Sequence, residues 1–432
     1  MLTKIKFLLL LTFVFTAVEG QKILTVDEVV QIALKNNFDI LVAHNDADIA
    51  KANNTPGNAG MLPAIQMSGS GVYELNNVHQ NLSGGSENNY PSQSTTSLNA
   101  ATQLSWTLFD GGKMFVTKNK LNEIEALGEI QFKDRVLVTM YNVIAAYYDV
   151  VRQKQELNSI NEVINYNRER VTIAQAGYNS GSLIRTDLLQ AKIDLNVTME
   201  SAINQQFIID AAKKTLNELL GQNADQVIEV SDSIPLNYLP DENELKSKIY
   251  SSNTSVLSFQ KQIDIARLTM KEYNKLYLPT VNFNAGYYLS NTTSSTGSVL
   301  QNRSFGPQIG GTLVIPLYSS GENKRMVATA RLQLQSAEYD LQNVKLQVNT
   351  DLLNALQGFS NQRQLMQIEK ENNELSKENI EICLQRLRLG QSTSLELHQA
   401  QDSYVQSCTR LINFEYNLKI AEIKLKQLIA TL

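Results

Sequence analysis

Two stretches of the chain carry apolar residues in steps of three and four. The first runs from Lys113 to about Ala176, through Leu137, Met140, Ile144, Tyr147 and Val151, then Leu157, Ile160, Ile164, Val171 and Ala174. It contains no proline, and Gly128 is its one glycine before Gly177. The second runs from Glu322 to Leu389, through Leu334, Ala337, Leu341, Val344, Val348, Leu352, Ala355 and Phe359. A near-heptad seam of this length predicts coiled-coil packing rather than an ordinary globular helix. About 65 residues at a rise of 1.5 Å reach roughly 100 Å. Shorter helices are expected at Asp27–Asn53, Leu183–Leu220, Asn243–Tyr277 and Ser394–Leu432. In each half, two short helices laid end to end match one long one. That equality suits a tube wall; a solid bundle or a fibrous stalk is the plainer alternative.

Elsewhere the period is two. Ile65, Met67, Gly69, Gly71, Tyr73 and Leu75 alternate with Gln66, Ser68, Ser70 and Glu74. Leu98, Ala100, Leu104, Trp106 and Leu108 alternate with Asn99, Gln103, Ser105 and Thr107. Val281, Phe283, Ala285, Tyr287 and Leu289 repeat the pattern, as do Phe305, Ile309, Leu313, Ile315 and Leu317. These predict strands at about 64–76, 98–109, 280–290 and 304–317, each with one apolar and one polar face. They are long for soluble strands and suit tilted membrane strands of about 9–11 residues. Asn77–Thr96 and Asn291–Arg303 are polar and are expected to be solvated hairpin loops. Four strands cannot close a barrel, for which about eight is the practical minimum, so several chains must share one.

The plan occurs twice. Leu62-Pro63-Ala64 recurs as Leu278-Pro279-Thr280, and Asn37 with Leu41 recurs as Asn253 with Leu257, at one offset. Leu108–Gly112 recurs as Leu317–Gly321, and Gly181 with Asp187-Leu188 recurs as Gly390 with Glu396-Leu397, at a slightly shorter one. One loop of the second half is therefore shorter. The reading is a duplication: repeat 1 over 21–230, a linker at 231–241 with Pro235 and Pro240, and repeat 2 over 242–432. The expected fold class is α+β, with long antiparallel coiled-coil helices forming an α-helical barrel and four β-strands per chain. Three chains of four strands would share a barrel of about twelve.

Composition removes several function classes. Of 432 residues, 38 are Lys or Arg and 43 are Asp or Glu, for a net charge of −5. That gives no basic field for nucleic-acid binding. Two cysteines and three histidines exclude a disulfide scaffold and leave little for a metal centre. Cys383 and Cys408 sit at unequal distances from the turn at Gly390 and are not expected to bridge. His44, His79 and His398 lack metal-ligand spacing, and no cofactor is expected. At the N-terminus Lys4 and Lys6 precede an uncharged run, Phe7–Val18, and Gly20 closes it. This is the order of a secretory signal peptide over residues 1–20. With no later apolar run long enough for a helical span, any membrane span must be a β-barrel.

Glycine marks the hairpin turns: Gly181 with Ser182 after the first long helix, and Gly390 with Gln391 after the second. Asp187 and Glu396 fall in the first turn of the next helix, where a carboxylate suits the macrodipole. The functional alternative is that they line an opening. Carried by every copy, Glu396 would make a ring that favours cations.

At these residues the sequence resembles a family. Leu24–Asn37, the strand-to-helix junction Leu108-Phe109-Asp110-Gly111-Gly112, and the tip Gly181 with Asp187-Leu188-Leu189-Gln190-Ala191 are similar to the corresponding motifs of TolC-like outer-membrane efflux proteins. The likeness covers nearly all of the mature chain. It implies a homotrimer in outer-membrane lipid with a periplasmic tunnel closed at its tip. The implied partners are a periplasmic adaptor and an inner-membrane pump of the RND or ABC type. It also implies a pore acid ring at Glu396 and Gln399; the second position is neutral here, which argues against strong cation selectivity. Ser182, Arg185, Thr186, Gln391 and Ser394, with Gly181 and Gly390, are implied adaptor contacts. Gly111, Gly112, Pro316 and Gly321 mark the strand–helix junctions. No nucleic-acid partner is implied.

No catalytic cluster competes with this. Gly112-Lys113 lacks the rest of a P-loop, and Gly69-Ser70-Gly71 has the wrong spacing for a nucleophile elbow. The expected function is a passive export duct, not an enzyme. The alternatives are a periplasmic coiled-coil spacer or adaptor and, less favoured, a helical lyase-like enzyme.

Overall fold

The computed structural model describes residues 23–432, so the expected leader lies outside the described residues. The described chain is an α+β protein that divides into two units. One comprises the described residues up to Leu41, Val136–Leu245 and Leu352–Leu432; the other comprises Val42–Arg135 and Lys246–Asp351. No helix among the described residues is long and apolar enough to cross a membrane.

The unit of Val42–Arg135 and Lys246–Asp351 holds a four-stranded sheet. Its strands are β2 (Ala64–Asn81), β3 (Glu87–Asp110), β5 (Thr280–Ser294) and β6 (Gln301–Val314), in the order β2-β3-β5-β6. All three pairings are antiparallel. The β3–β5 pairing, with Trp106 opposite Phe283, joins strands far apart in sequence. β2 and β6 are edge strands, with no further strand beside them among the described residues. On the apolar face Met67, Tyr73, Phe305, Ile309 and Leu313 stand exposed.

Three expectations about the strands are corrected here. Asn77–Thr96 is not a loop: β2 continues to Asn81 and β3 begins at Glu87, leaving a short turn. Polar residues on both faces erase the period-two signal, while the backbone ladder persists because it needs no side-chain alternation. In the second hairpin β5 likewise extends to Ser294 and β6 begins at Gln301, inside the expected loop. β6 also ends at Val314, short of 317, because Pro316 has no N–H to extend the ladder.

The expected helix at Asp27–Asn53 is two helices, α1 (Val26–Asn36) and α2 (Phe38–Asn53). The expected Asn243–Tyr277 helix is α5 (Glu242–Ser252) and α6 (Thr254–Lys275). The breaks fall at Asn37 (φ −64°, ψ 125°) and Asn253 (φ −66°, ψ 122°), both in extended conformation. Each amide side chain caps the following helix, which offers the backbone an alternative to continuing.

In the other unit the core gathers Val29 and Ala33 of α1, Val143, Tyr147, Val150 and Val151 of α3 (Lys113–Ser180), and Leu216 of α4 (Arg185–Leu219). Ile423 of α8 (Ser394–Leu428) joins them. β1 (Ile23–Leu24) pairs in parallel with β4 (Glu229–Val230). The Tyr147 hydroxyl donates to the Leu24 carbonyl at 2.8 Å and accepts from Ser231 N at 3.1 Å. Ile234, in the expected linker, is buried in this core. α7 (Glu322–Arg388) is the second long helix.

Candidate functional site

Two helix-hairpin turns lie in the unit that contains α4 and α8. In the first, α3 ends at Ser180 and Gly181 takes φ +76°, a left-handed stop. Ser182 N and Leu183 N both donate to the Gly177 carbonyl, at 2.9 and 3.1 Å. A Cβ on Gly177 would lie 2.6 Å from a Leu183 methyl, so the turn needs glycine there. α4 then begins at Arg185 with no side-chain cap; Asp187 is half-buried in its first turn, while Arg185 and Thr186 are exposed.

The second turn is more heavily bonded. Gly390 takes φ +68° after α7. Gln391 N donates to the Arg386 carbonyl at 2.8 Å, and Arg386 Nη2 donates to the Gln391 carbonyl at 3.0 Å. Thr393 caps α8, its hydroxyl accepting from Glu396 N at 3.2 Å. The Ser392 hydroxyl donates to Glu396 Oε2 at 2.6 Å. That bond, with the Arg386 guanidinium and the Thr393 backbone N–H behind it, holds the exposed Glu396 carboxyl below the usual glutamate range. Gln399 is exposed one turn further along α8.

Ser394 differs from the other tip positions. It is half-buried and accepts from Arg170 Nη2 at 2.8 Å, while Arg170 Nη1 donates to Asp194 Oδ2 at 2.7 Å. One buried guanidinium thus ties α3, α4 and α8 together. Asn167, bonded to Thr198 and to Gln401, repeats the three-way tie one turn along. Beside these ties lies a cavity of about 220 Å³, walled by Val163, Val197 and Val405 and rimmed by Asp194, His398 and Asp402. Among the described residues no group of three or more His, Cys, Asp or Glu is placed to hold a metal. Cys383 and Cys408 are both free and buried.

The strand–helix junctions lie in the sheet unit. Gly111 and Gly112 take φ +73° and +80°, and a Cβ on Gly111 would fall 2.5 Å from Leu278 Cβ. Asp110 Oδ2 accepts from Met114 N at 2.8 Å and so caps α3. Gly321 takes φ +79° before α7; Pro316 follows the end of β6.

Sequence reasoning missed Arg170, Asp194, Gly177 and the pair Asn37 and Asn253 as structural determinants. For the asparagines a signal was present, since they recur at matched positions of the two halves. For Arg170 there was none, because a lone arginine on a long helix reads as solvated.

Residues 29–222 and 245–431 match the model of the outer membrane efflux protein family. The chain belongs to that family. Among curated outer membrane efflux proteins it is 22% identical over 326 residues to BepC of Brucella suis, covering 75% of this chain and 70% of the relative. It is 21% identical over 418 residues to the proteases secretion protein PrtF of Dickeya chrysanthemi, covering 93% and 87%. The fold matches the outer membrane protein VceC of Vibrio cholerae with a TM-score of 0.76 at 14% identity, over 94% of this chain and 96% of that one. Like the family, this efflux protein is placed in the outer membrane.

Proposed function

We propose that this outer membrane efflux protein is a passive duct that carries cargo to the cell exterior from a periplasmic adaptor and an inner-membrane RND or ABC pump. One observation carries the reading: an antiparallel four-stranded sheet with two unpaired edges and an exposed apolar face, in a chain of this family. Such edges cannot remain open in hydrocarbon, where each unpaired backbone group costs several kcal/mol. Closure by three copies, giving about twelve strands, supplies the barrel. The apolar residues then face lipid, and Gln103, Ser105, Asn282 and Asn284 face water. A periplasmic spacer would have no use for this face.

The two hairpin turns are the proposed adaptor contact, through Gly181, Ser182, Arg185, Thr186, Gly390, Gln391 and Ser394. Glu396, with Gln399 and Asp187, sets the charge at the opening. Opening requires the tip helices to part, and the Arg170 and Asn167 ties hold them until an adaptor engages. The names of the relatives cover both efflux and protease secretion, and this duct serves the same kind of work. A photo-crosslinking residue placed at Ser182 or Gln391 in cells tests the partnership. The expected product is a covalent complex with a periplasmic helical-hairpin protein. Outer-membrane protein that yields no such product at either position refutes adaptor docking at the tips.

A further inference from the structure

In the sheet unit α3 and α6 run antiparallel, joined by polar rungs. Asp134 accepts from Thr254, Glu123 meets Lys261 at 2.7 Å, and Glu272 takes both Lys120 and the Thr117 hydroxyl. Each rung sets an acid on one helix against a hydroxyl or an ammonium on the other. Glu272 is 4% exposed, and its charge is balanced inside the interface. The next rung toward the sheet breaks the rule. Lys113, the first residue of α3, lies one turn before Thr117; Lys275, the last residue of α6, lies one turn after Glu272. The backbones meet there, since a Cβ on Gly111 would lie 3.1 Å from the Lys275 carbonyl oxygen. Like charge is thus set beside like charge, which is repulsive.

Both lysines are half-buried, and neither ammonium has an ion-pair or hydrogen-bond partner among the described residues. Both line a cavity of about 660 Å³ at the base of the sheet. The other charged residues that line it are Asp110, Lys120 and Glu272, so its lining is net positive. Lys120 and Glu272 are spent on each other. Asp110 caps α3 with Oδ2, and its Oδ1 is buried, so it turns no open oxygen to the cavity. Two uncompensated ammoniums remain. Thr107 and Thr280 also line the cavity, and register puts them on one face of the sheet: Thr107 pairs with Asn282, two residues from Thr280. That is the polar face. Phe283 and Ile309 belong to the other.

We infer that this cavity binds a soluble oxyanion, the phosphate or the paired carboxylates of a small solute, held between Lys113 and Lys275. The anion completes the ladder by placing negative charge where the protein supplies none, through charge-assisted bonds to both ammoniums. An ammonium is a point charge with three rotatable donors, so the site accepts tetrahedral and planar oxyanions alike. Asn58, Thr107 and Thr280 add neutral polar lining. The source of the anion rests on the reading of the protein as a duct, in which the polar face is the wet one. On that reading the occupant is an acidic solute or cargo group at the base of the barrel, not a lipid headgroup.

Calorimetric titration of inorganic pyrophosphate into the full chain, folded in an uncharged detergent at low salt, tests the site. Saturable binding is expected, weakening as salt rises, with a melting midpoint that climbs with ligand. Lys113→Ala and Lys275→Ala should each weaken binding about tenfold or more, the share of one charge-assisted bond. Lys275→Glu should abolish it. Lys271→Ala, at an exposed lysine of α6 outside the cavity, should leave it unchanged. Folded protein that gives neither saturable heat nor a midpoint shift overturns the site, as does binding that survives Lys275→Glu or falls equally in Lys271→Ala. Displacement of pyrophosphate by phosphatidylglycerol in mixed micelles also overturns it, by assigning the lysines to a lipid headgroup. Bilayer conductance judges the duct separately. Binding without conductance keeps the site and rejects the duct, and conductance without binding does the reverse.

Discussion

The Nδ2 amide of Asn37 donates to the carbonyl oxygen of Leu219 at 2.8 Å, from the break between α1 and α2 to the last turn of α4. Its Oδ1 accepts from Asp39 N at 2.9 Å and Ile40 N at 3.2 Å. One buried amide thus satisfies three backbone groups that two helix ends would leave open. Close by, Gly221 takes φ +64°, and a Cβ there would lie 2.4 Å from the Asn36 carbonyl oxygen. Asn37→Ala should cost about 2 kcal/mol, from the lost cap and the orphaned carbonyl. Gly221→Ala should cost about 2 kcal/mol through overpacking. Thermal melts followed by circular dichroism check both; an unchanged midpoint for either removes that residue from the account.

Arg170 predicts an asymmetry. Its side chain is 3% exposed and that of Asp194 is 15% exposed. Removing the acid strands a buried guanidinium, at about 3–5 kcal/mol. Removing the arginine leaves Asp194 nearer to water and still bonded to Gln190 at 2.7 Å. Asp194→Ala should therefore lower the melting midpoint more than Arg170→Met. The opposite ranking contradicts the burial argument.

If Glu396 sets the charge at the opening as proposed, its carboxyl makes the opening pH-dependent. Its carboxyl titrates below the ordinary range because Ser392 donates to it. A lowered value means that the bond's support is present above the unfolded glutamate value and fades as pH falls through the folded one. Cation preference in reconstituted channels should persist under mildly acidic conditions and decline only at lower pH. Glu396→Gln should lack the preference at every pH, and Ser392→Ala should move the decline upward. Reversal potentials in a salt gradient measure all three; identical potentials for wild type and Glu396→Gln remove Glu396 from the opening.

At the alkaline end Tyr148 sets the limit. Burial, with Tyr147, Glu422 and Asp27 nearby, pushes its phenol up to about 12. A raised value contributes stability that is complete below the unfolded tyrosine range and lost as pH rises through the folded value. Stability should therefore fall between about pH 10 and 12. Tyr148→Phe should flatten that fall, in melting midpoints recorded across the window.

The long seams of α3 and α7 and the alternating strands could be read because one physical rule, an apolar face of fixed period, governs them along their length. The breaks at Asn37 and Asn253 could not be read from periodicity, since the apolar steps continue through them while a side-chain amide takes over the backbone bonds. The outer parts of β2 and β3 escaped for the converse reason: with neither face buried, nothing imposes alternation on Asn77–Thr96. At the tips, Gly181 and Gly390 declared themselves through glycine, and Glu396 through its place after the turn. Arg170 and Asp194 did not, because only the packing of α8 against α3 and α4 buries them.

Single-channel recording in planar bilayers tests the central claim most directly. Purified protein should insert and give discrete, long-lived ohmic steps without any energy source. Protein that is folded by circular dichroism yet never produces conductance steps contradicts the claim that copies of this chain enclose a water-filled path through the outer membrane.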